Sequence, residues 1–459
     1  MDPSTSILIS GGIVLPMEGT RAAHDPGSVL VVDGHIVAVG AVEEVAAHPA
    51  ATAVTILDAA GHAVLPGFHN CHLHSGLLRG TAESLALWEW LANHVDPAHR
   101  ALTPPIAEAA SYLAYTEGLR GGTTSVLDMW RFMEGSARAA EEVGIRATLA
   151  PYTADRFDYF ESLASNRRLL ETHRLAADGR VRTWVGLEHL LYCSEKMFRA
   201  AAALAEEFDT GIHTHSSETT WEVEECQRLT GRRPIAEFEA RGILGPRTVI
   251  AHAVWLDDEE VGILARTGTA MTHCPCSNMK LSSGAARIGY YRERGVVCAL
   301  GTDGEKENNN LDMLEEMKFA SLLQKVSTLD PTTGDPWEIL DMATLSGARA
   351  LGLADVSGSL EVGKEADIVT VDLRGVHFVP VLHGSDFNVP AHLVFTASAH
   401  DVANVWVRGR RLVADGTVIS VDVTRVAARA QAAAEDLFAR RRALAGPPEP
   451  AGADPGARP

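Results

Sequence analysis

Two histidines one residue apart, His72 and His74 in GFHNCHLHSG, follow an apolar run that reads as a strand. Alternate side chains of a strand share a face, so these imidazoles stand about 7 Å apart on one side of it. The pattern recurs in GIHTHSSE, with His213 and His215 again one residue apart, and spacing alone does not separate them. Glu218 follows three residues after His215, His252 lies in AHAVWL, and Asp303 ends the run VVCALGTD. Imidazole with carboxylate suits a divalent first-row metal, zinc first and iron second. His72, His74, His215 and Asp303 form such a donor set, and a further position left to water marks a catalytic rather than a structural site. Glu218 is spaced to carry a proton between that water and a leaving group. His252 is spaced to stabilise charge on the same water. Cys274 and Cys276 in HCPCSN lack a second cysteine pair, so no structural zinc site is expected there.

These groups can meet only if separate elements carry them to one place. Residues 67–365 alternate apolar β-type runs with helical stretches such as IAEAASYLAYTEGLR, the pattern of parallel strands with crossover helices. Eight runs are counted: VLPGFHNCHLH, TTSVLDM, IRATLAPY, RTWVGLEH, GIHTH, TVIAHAV, TAMTHCP and VVCALGTD. Eight strand–helix units predict an α/β fold, a (β/α)₈ TIM-like barrel, whose C-terminal strand ends gather the active site on one face. Most of the runs end in a candidate side chain, among them His72, His74, Asp128, Glu188, His189, His215, His252, His273 and Asp303.

Residues 1–66 and 366–420 have an all-β texture and predict one small composite β-sandwich domain built from both chain ends. Gly11-Gly12 and Asp33-Gly34 read as hairpin turns within it. Residues 421–445 predict a C-terminal helix, and the Pro/Gly/Ala-rich 446–459 a disordered tail.

The 459 residues are 46% hydrophobic and 22% charged, enough for a large core, and the net charge of −20 argues against nucleic acid as a partner. The opening MDPSTSILIS lacks a basic and an apolar region, so no secretory signal is expected. No apolar run reaches the roughly 18–20 residues of a membrane span. Six cysteines form no disulfide framework, and a cytoplasmic location is expected.

The stretches LPGFHNCHLH, RGGTTSVLDM, IHTHSSETTWEVEEC, AHAVWLDDEE, HCPCSNMKLSSG and LGTDG, in this order, resemble the amidohydrolase superfamily in its mononuclear aminohydrolase branch. That branch holds S-adenosylhomocysteine/methylthioadenosine deaminases, cytosine and guanine deaminases and triazine hydrolases. GARALGLADVSGSLEVGKEADIV resembles the family's return into its small β domain. The resemblance implies His72, His74, His215 and Asp303 as ligands of one divalent metal, zinc or alternatively iron. It implies Glu218 as proton shuttle, His252 as holder of the attacking water, Asp303 as a further proton acceptor, and His213 in a supporting role. Binuclear relatives carry a lysine at the end of the fourth strand. Here no lysine occurs before Lys196, which favours a single metal, with Glu188 as the alternative bridge.

The implied reaction is attack of metal-bound hydroxide on an amino-substituted nitrogen heterocycle such as a purine nucleoside, pyrimidine, pterin or triazine, releasing ammonia. Displacement of chloride or alkylamine, or opening of a cyclic amide, uses the same residues. A non-catalytic small-molecule-binding barrel is the alternative from another class. Trp90 in LALWEWL resembles a base-pocket tryptophan, and His189 resembles a substrate-contacting histidine. Glu188 and Leu190 depart from the Pro and Ala of that motif, which suggests Glu188 addressing a ring N–H or a basic group. Glu305, Lys306 and Glu307 are read first as a solvated loop. Asp128 is read as holding strand-end backbone, and Cys71, Cys193 and Cys274 as packing residues. The family resemblance implies a homo-oligomer, a dimer or a tetramer.

Overall fold

The structure, a computed structural model, describes residues 6–445 apart from 82 and 86, so the expected tail at 446–459 lies outside the described residues. Five strands come first: β1 (Ile7–Val14), β2 (His24–Val32), β3 (His35–Ala41), β4 (Thr55–Asp58) and β5 (His62–Pro66). The middle of the chain holds β6 (Phe68–Leu73), β7 (Thr123–Trp130), β8 (Arg146–Pro151), β9 (Leu175–Ala176) and β10 (Val181–Thr183). It continues with β11 (Val185–His189), β12 (Ile212–Ser216), β13 (Thr248–His252), β14 (Ala270–His273) and β15 (Cys298–Leu300). Last come β16 (Ile368–Asp372), β17 (Val402–Val407), β18 (Arg410–Ala414) and β19 (Thr417–Val418).

Strands from the two ends of the chain share one nine-stranded sheet, in the order β19-β18-β17-β16-β5-β1-β2-β3, with β4 paired to β1. The junction is the antiparallel pair β5–β16, where Pro66 faces Ile368 and His62 faces Asp372. Asp33-Gly34 is the two-residue turn expected between β2 and β3: Val32 pairs with His35, and both turn residues have positive φ, 47° and 81°. Gly11-Gly12 is not a turn. It lies inside β1, where register with β2 shifts on either side of Gly12 and Gly11 has φ +79°, the geometry of a β-bulge.

The eight runs of the middle region all form strands, arranged as two five-stranded sheets, β6-β7-β8-β10-β9 and β11-β12-β13-β14-β15. All neighbours are parallel except β9 and β10. Every residue of β6, β7, β8, β12 and β13 is buried, because helices cover the outer faces and side chains fill the inner ones. Local chemistry starts the covering helices. Ser194 caps Glu195–Glu207, Thr219 caps Thr220–Thr230, and Asp257 with Glu260 forms a capping box on Asp258–Thr267.

The fourth run divides at Trp184. Its first part pairs with β8 and its second with β12, while the Trp184 N–H donates to Leu149 O at 2.8 Å and the Glu188 N–H to Thr153 O at 2.8 Å. At the opposite margins the Asp303 N–H donates to His72 O at 3.0 Å. Gly301 permits that approach, since a Cβ there would fall 2.8 Å from the His72 N and O atoms. Arg146 of β8 is buried and clamps the segment before β16: Nε reaches Asp367 Oδ2 at 2.5 Å, Nη2 reaches Oδ1 at 3.1 Å and also meets Glu365. The expected C-terminal helix spans Val423–Ala445 and leans on helix Pro104–Arg120 through an Arg429–Glu108 pair at 3.0 Å. Among the described residues no helix is long and apolar enough to cross a membrane.

Candidate active site and metal centre

His72 lies in β6 and His74 directly after it, His215 sits in β12, His252 closes β13, and Asp303 follows β15. All five side chains are buried, and the structure brings them together. Ser217, His252 and Asp303 have positive φ, 55°, 68° and 59°, an uncommon conformation for residues with side chains and one that clusters at functional sites.

What the imidazoles can hold follows from where their other nitrogens point. His74 Nδ1 faces Met129 O at 2.7 Å, His215 Nδ1 faces Glu188 O at 2.6 Å, and His213 Nδ1 faces Val249 O at 3.0 Å. A carbonyl only accepts, so each of these Nδ1 atoms carries the proton. His213 Nε2 is therefore an acceptor, and His72 Nδ1, 2.8 Å away, donates to it. This leaves bare lone pairs on Nε2 of His72, His74 and His215. Those of His74 and His215 face each other at 3.2 Å, and one ligand-type atom from each of the three rings fits within a 4.8 Å span. Asp303 Oδ1 adds a fourth donor, 3.2 Å from His72 Nε2 and 3.4 Å from His74 Nε2.

Converging lone pairs need a cation between them. A proton suits poorly, because burial holds all three imidazoles below their usual basicity, opposed at His72 by Asp303. Burial works against ionising Asp303 as well, and its carboxyl is held well below the usual carboxylate range only when positive charge stands at His72, His252 and His74 around it, a place that a cation fills while those rings stay neutral. Three neutral imidazoles and one carboxylate fit a divalent metal.

Glu218 is buried beside this cluster. The Ser283 hydroxyl donates to its Oε1 at 2.7 Å, its Oε2 stands 3.7 Å from His252 Nε2, and burial raises its pKa. His252 Nε2 is also 4.0 Å from Asp303 Oδ2, and its Nδ1 is held by Asn278 Oδ1 at 3.1 Å. Ser277 donates to Asp303 Oδ2 at 2.7 Å.

A pocket opens over these groups, and Trp90, His189 and Glu188 are among the residues that line it. His189 Nε2 reaches Glu222 Oε1 at 3.1 Å. Burial lowers the basicity of that ring, but the Glu222 carboxylate outweighs it and pushes the pKa up to about 9. The Leu191 N–H, 3.2 Å from Nδ1, opposes a second proton there, and the buried Glu222 carboxylate outweighs it. Glu188 is pushed up to about 8 by burial and accepts from the Tyr152 hydroxyl at 3.3 Å. Lys196 is exposed on helix Glu195–Glu207 and offers no bridge to the cluster.

The reading of Glu305–Glu307 as a solvated loop is corrected. Glu305, Lys306 and Glu307 are 2%, 6% and 5% exposed in the turn Glu305–Asn308, which folds inward after Asp303. Lys306 Nζ pairs with Glu307 Oε1 at 2.6 Å, and Glu307 lines the cavity. Asp128 holds backbone as expected, accepting from Ser75 N at 3.0 Å, Ser75 Oγ at 2.7 Å and Tyr115 Oη at 2.7 Å. Cys71, Cys193 and Cys274 are buried free thiols.

Sequence reasoning missed Glu222, Trp88 and Ser283, and read Glu307 as solvated. Glu222 is buried and braces the turn before it, accepting from Ser217 N at 2.7 Å and Glu218 N at 2.8 Å. Its spacing was readable: Thr219 and Glu222 make the Thr-x-x-Glu pattern of a helix start, in which the glutamate turns back towards backbone N–H groups ahead of the helix.

Comparison with known proteins decides the family. A sequence profile of the Amidohydrolase family matches residues 63–412. The chain belongs to that family. This amidohydrolase is 40% identical to a 5'-deoxyadenosine deaminase of Methanothermobacter thermautotrophicus, over 94% of this chain and 99% of the relative. Its fold superimposes on a zinc-bound adenosine deaminase from Xanthomonas campestris with TM-score 0.88 and 31% identity, covering 94% and 98% of the two chains. An atrazine chlorohydrolase of Arthrobacter aurescens in complex with zinc gives TM-score 0.85 and 25% identity, covering 93% and 100%. The amidohydrolase is thus a hydrolase acting on C–N bonds, with a mixed α/β fold and a donor set suited to a divalent metal.

Proposed function

We propose that this amidohydrolase is a metal-dependent hydrolytic deaminase of an amino-substituted nitrogen heterocycle, with adenosine-type nucleosides as the first class to try. The observation that carries the reading is the convergence of three bare imidazole nitrogens and Asp303 beneath the cavity that Glu218 lines. The 5'-deoxyadenosine deaminase relative, at 40% identity, supports the substrate class.

His72, His74, His215 and Asp303 hold one ion in this reading, zinc first because relatives of known structure carry it, iron second. The bound ion supplies Lewis acidity, making water a nucleophile near neutral pH. Glu218 takes a proton from the attacking water and delivers it to the ring nitrogen. His252, between Glu218 and Asp303, holds that water and steadies charge on its oxygen. Asp303 accepts the second proton and passes it to the departing amine, so that Glu218 protonates the ring nitrogen and both protons of the water are used. Trp90, His189 and Glu188 contact the ring. The water oxygen ends as a ring carbonyl, and ammonia leaves.

The same reading takes the two five-stranded sheets as halves of one (β/α)₈ barrel over 67–365. Hydrogen bonds from Trp184 and Glu188 at one margin and from Asp303 at the other support it. The nine-stranded sheet is then the composite β domain of 1–66 and 366–420, and the enzyme a cytoplasmic homo-oligomer.

The test is ammonia release by zinc-loaded protein from adenosine derivatives, guanine, cytosine, pterin and amino-triazine rings, with Glu218→Gln as control. Turnover of one ring, lost in the control, supports the proposal. Release of chloride or alkylamine from chloro- and alkylamino-triazines added to the panel, with no ammonia from the others, favours the displacement reaction, a reading motivated by the atrazine chlorohydrolase likeness. Binding without any turnover would overturn the enzymatic reading.

A further inference from the structure

We infer that Trp255 is a positioning residue for Glu218: its two N–H groups hold together the loop that carries Glu218 and the loop that carries Ser283. The inference rests on the proton-shuttle role of Glu218 in the deaminase reading, and it adds the group that keeps the shuttle aimed.

A glutamate side chain is long and loses much rotamer freedom when it is fixed. Here the Ser283 hydroxyl donates to Glu218 Oε1 at 2.7 Å, which leaves Oε2 turned toward His252 Nε2 at 3.7 Å. Glu218 follows β12 and Ser283 follows helix Pro275–Lys280, so the bond lasts only while two separate loops keep their spacing. Trp255, in the loop after β13, contacts both. Its backbone N–H donates to Ser217 O at 2.9 Å, one residue before Glu218, and its indole Nε1–H donates to Ser283 O at 2.6 Å.

Burial does not explain this tryptophan. It is 42% exposed, and its indole N–H is nonetheless committed to a backbone carbonyl. The chain makes room for that contact: residue 284 is glycine at φ +126°, and a Cβ there would fall 2.8 Å from the indole Cζ2. Ser283 is held from its other side, its N–H donating to Asn278 O at 2.8 Å, and Asn278 Oδ1 in turn meets His252 Nδ1 at 3.1 Å. Arg233 Nη2 anchors Trp255 itself by donating to its carbonyl at 2.6 Å. Two ties thus join the loop after β13 to the segment after β14, His252–Asn278 and Trp255–Ser283, and Glu218 meets one member of each. A misplacement of about 1 Å can cost on the order of 100-fold in rate, and the Oε1 bond sets where Oε2 stands.

Trp255→Phe removes the indole N–H and keeps an aromatic ring, and Trp255→Met replaces it if it does not fold. In zinc-loaded protein, kcat for the ring that the wild type deaminates should fall by about 10–100-fold, with KM within about twofold and zinc content unchanged. Ser283→Ala should fall by a similar factor. Because both residues act through one bond, the double variant should lie within about threefold of Ser283→Ala, whereas independent roles multiply the two losses. Multiplied losses, an unchanged kcat, a change confined to KM, or loss of zinc would overturn the inference. Crystals of zinc-loaded Trp255→Phe give a readout that needs no turnover: Ser283 Oγ and Glu218 Oε1 should stand beyond about 3.5 Å, or Glu218 should occupy a second rotamer. The bond kept at full occupancy would overturn the inference whatever the kinetics. A wild type that deaminates no ring sinks the deaminase reading alone, and the crystal distance then decides whether Trp255 positions Glu218.

Discussion

His213 Nε2 lies 2.8 Å from His72 Nδ1, and through that contact the proton on one ring fixes which nitrogen of the other stays bare. His213 is itself oriented by Val249 O at 3.0 Å, so the chain of donors runs from strand backbone to the cation socket. Replacing His213 by Ala frees the His72 ring and should lower metal affinity by about 10–100-fold, the usual effect of removing a partner behind a ligand. Zinc competition against a chromophoric chelator measures it, and unchanged affinity would remove His213 from this role.

Chelation should destabilise the fold. Three buried lone pairs and the Asp303 carboxylate face one another without a cation, and an ion present at about 1,000 times its Kd contributes roughly 4 kcal/mol. Thermal unfolding with a strong chelator should show a clearly lower Tm, restored by zinc. Identical Tm values, in protein shown by elemental analysis to gain and lose the ion, would count against the four-residue site.

Glu222 is absent from the four-residue cation socket, lines the cavity beside His189, and holds the turn that presents Glu218. Glu222→Leu leaves the Ser217 and Glu218 N–H groups unpaired, each costing about 1–3 kcal/mol. Activity should fall mainly in kcat, by about 10–100-fold, with metal content unchanged. A change confined to KM would place Glu222 with the substrate contacts instead.

The same carboxylate gives the Glu222–His189 pair a pH window. His189 is raised to about 9 in the folded state, so its contribution is complete below its ordinary pKa of 6.5 and disappears as pH rises through about 9. Burial opposes ionisation of Glu222, but His189 and the two backbone N–H groups hold it below its ordinary 4.5. Its contribution is present above 4.5 and lost as pH falls further. The Tm gap between wild type and Glu222→Gln should therefore be widest between pH 4.5 and 6.5 and close towards pH 9. A gap that stays constant from pH 6.5 to 9 would mean that the Leu191 N–H keeps the ring neutral.

Arg146 should prove a stability residue with no catalytic share. Its guanidinium, at the start of β8, is buried against Asp367 and Glu365, and none of the three lines the cavity. Arg146→Met leaves Asp367 buried without its partner, at a cost of about 3–5 kcal/mol. Denaturant unfolding measures the loss, and the surviving folded enzyme should keep its KM. A loss below about 1 kcal/mol would mean that the cluster behaves like a surface ion pair.

Local chemistry was legible in the sequence, and contact across the fold was not. The Asp33-Gly34 turn could be read because both residues tolerate positive φ, but Gly11-Gly12 offers the same freedom to a bulge, and only pairing with β2 separates the two cases. His72, His74, His252 and Asp303 were found because a polar residue closing an apolar run stands out. Glu305, Lys306 and Glu307 were read as solvated because charge implies water until a neighbour is known. Here Lys306 and Glu307 neutralise each other under Trp90, 5.8 Å from the ammonium. Choosing between His213 and His215 from geometry required their contacts across the fold: His213 Nε2 is taken by His72 Nδ1, while His215 Nε2 faces His74 Nε2.

The pairing of β5 with β16 has a consequence for the order of events on the ribosome. About 300 residues separate Pro66 from Ile368, so at roughly 5–20 residues per second the apolar edge of β5 waits about 15–60 s for its partner. During that interval the first strands are a template without its last rows, open to any other extended chain. The N-terminal hairpin must therefore be protected in transit while the catalytic sheets are being made, and the sheet is completed only by the last strands to emerge.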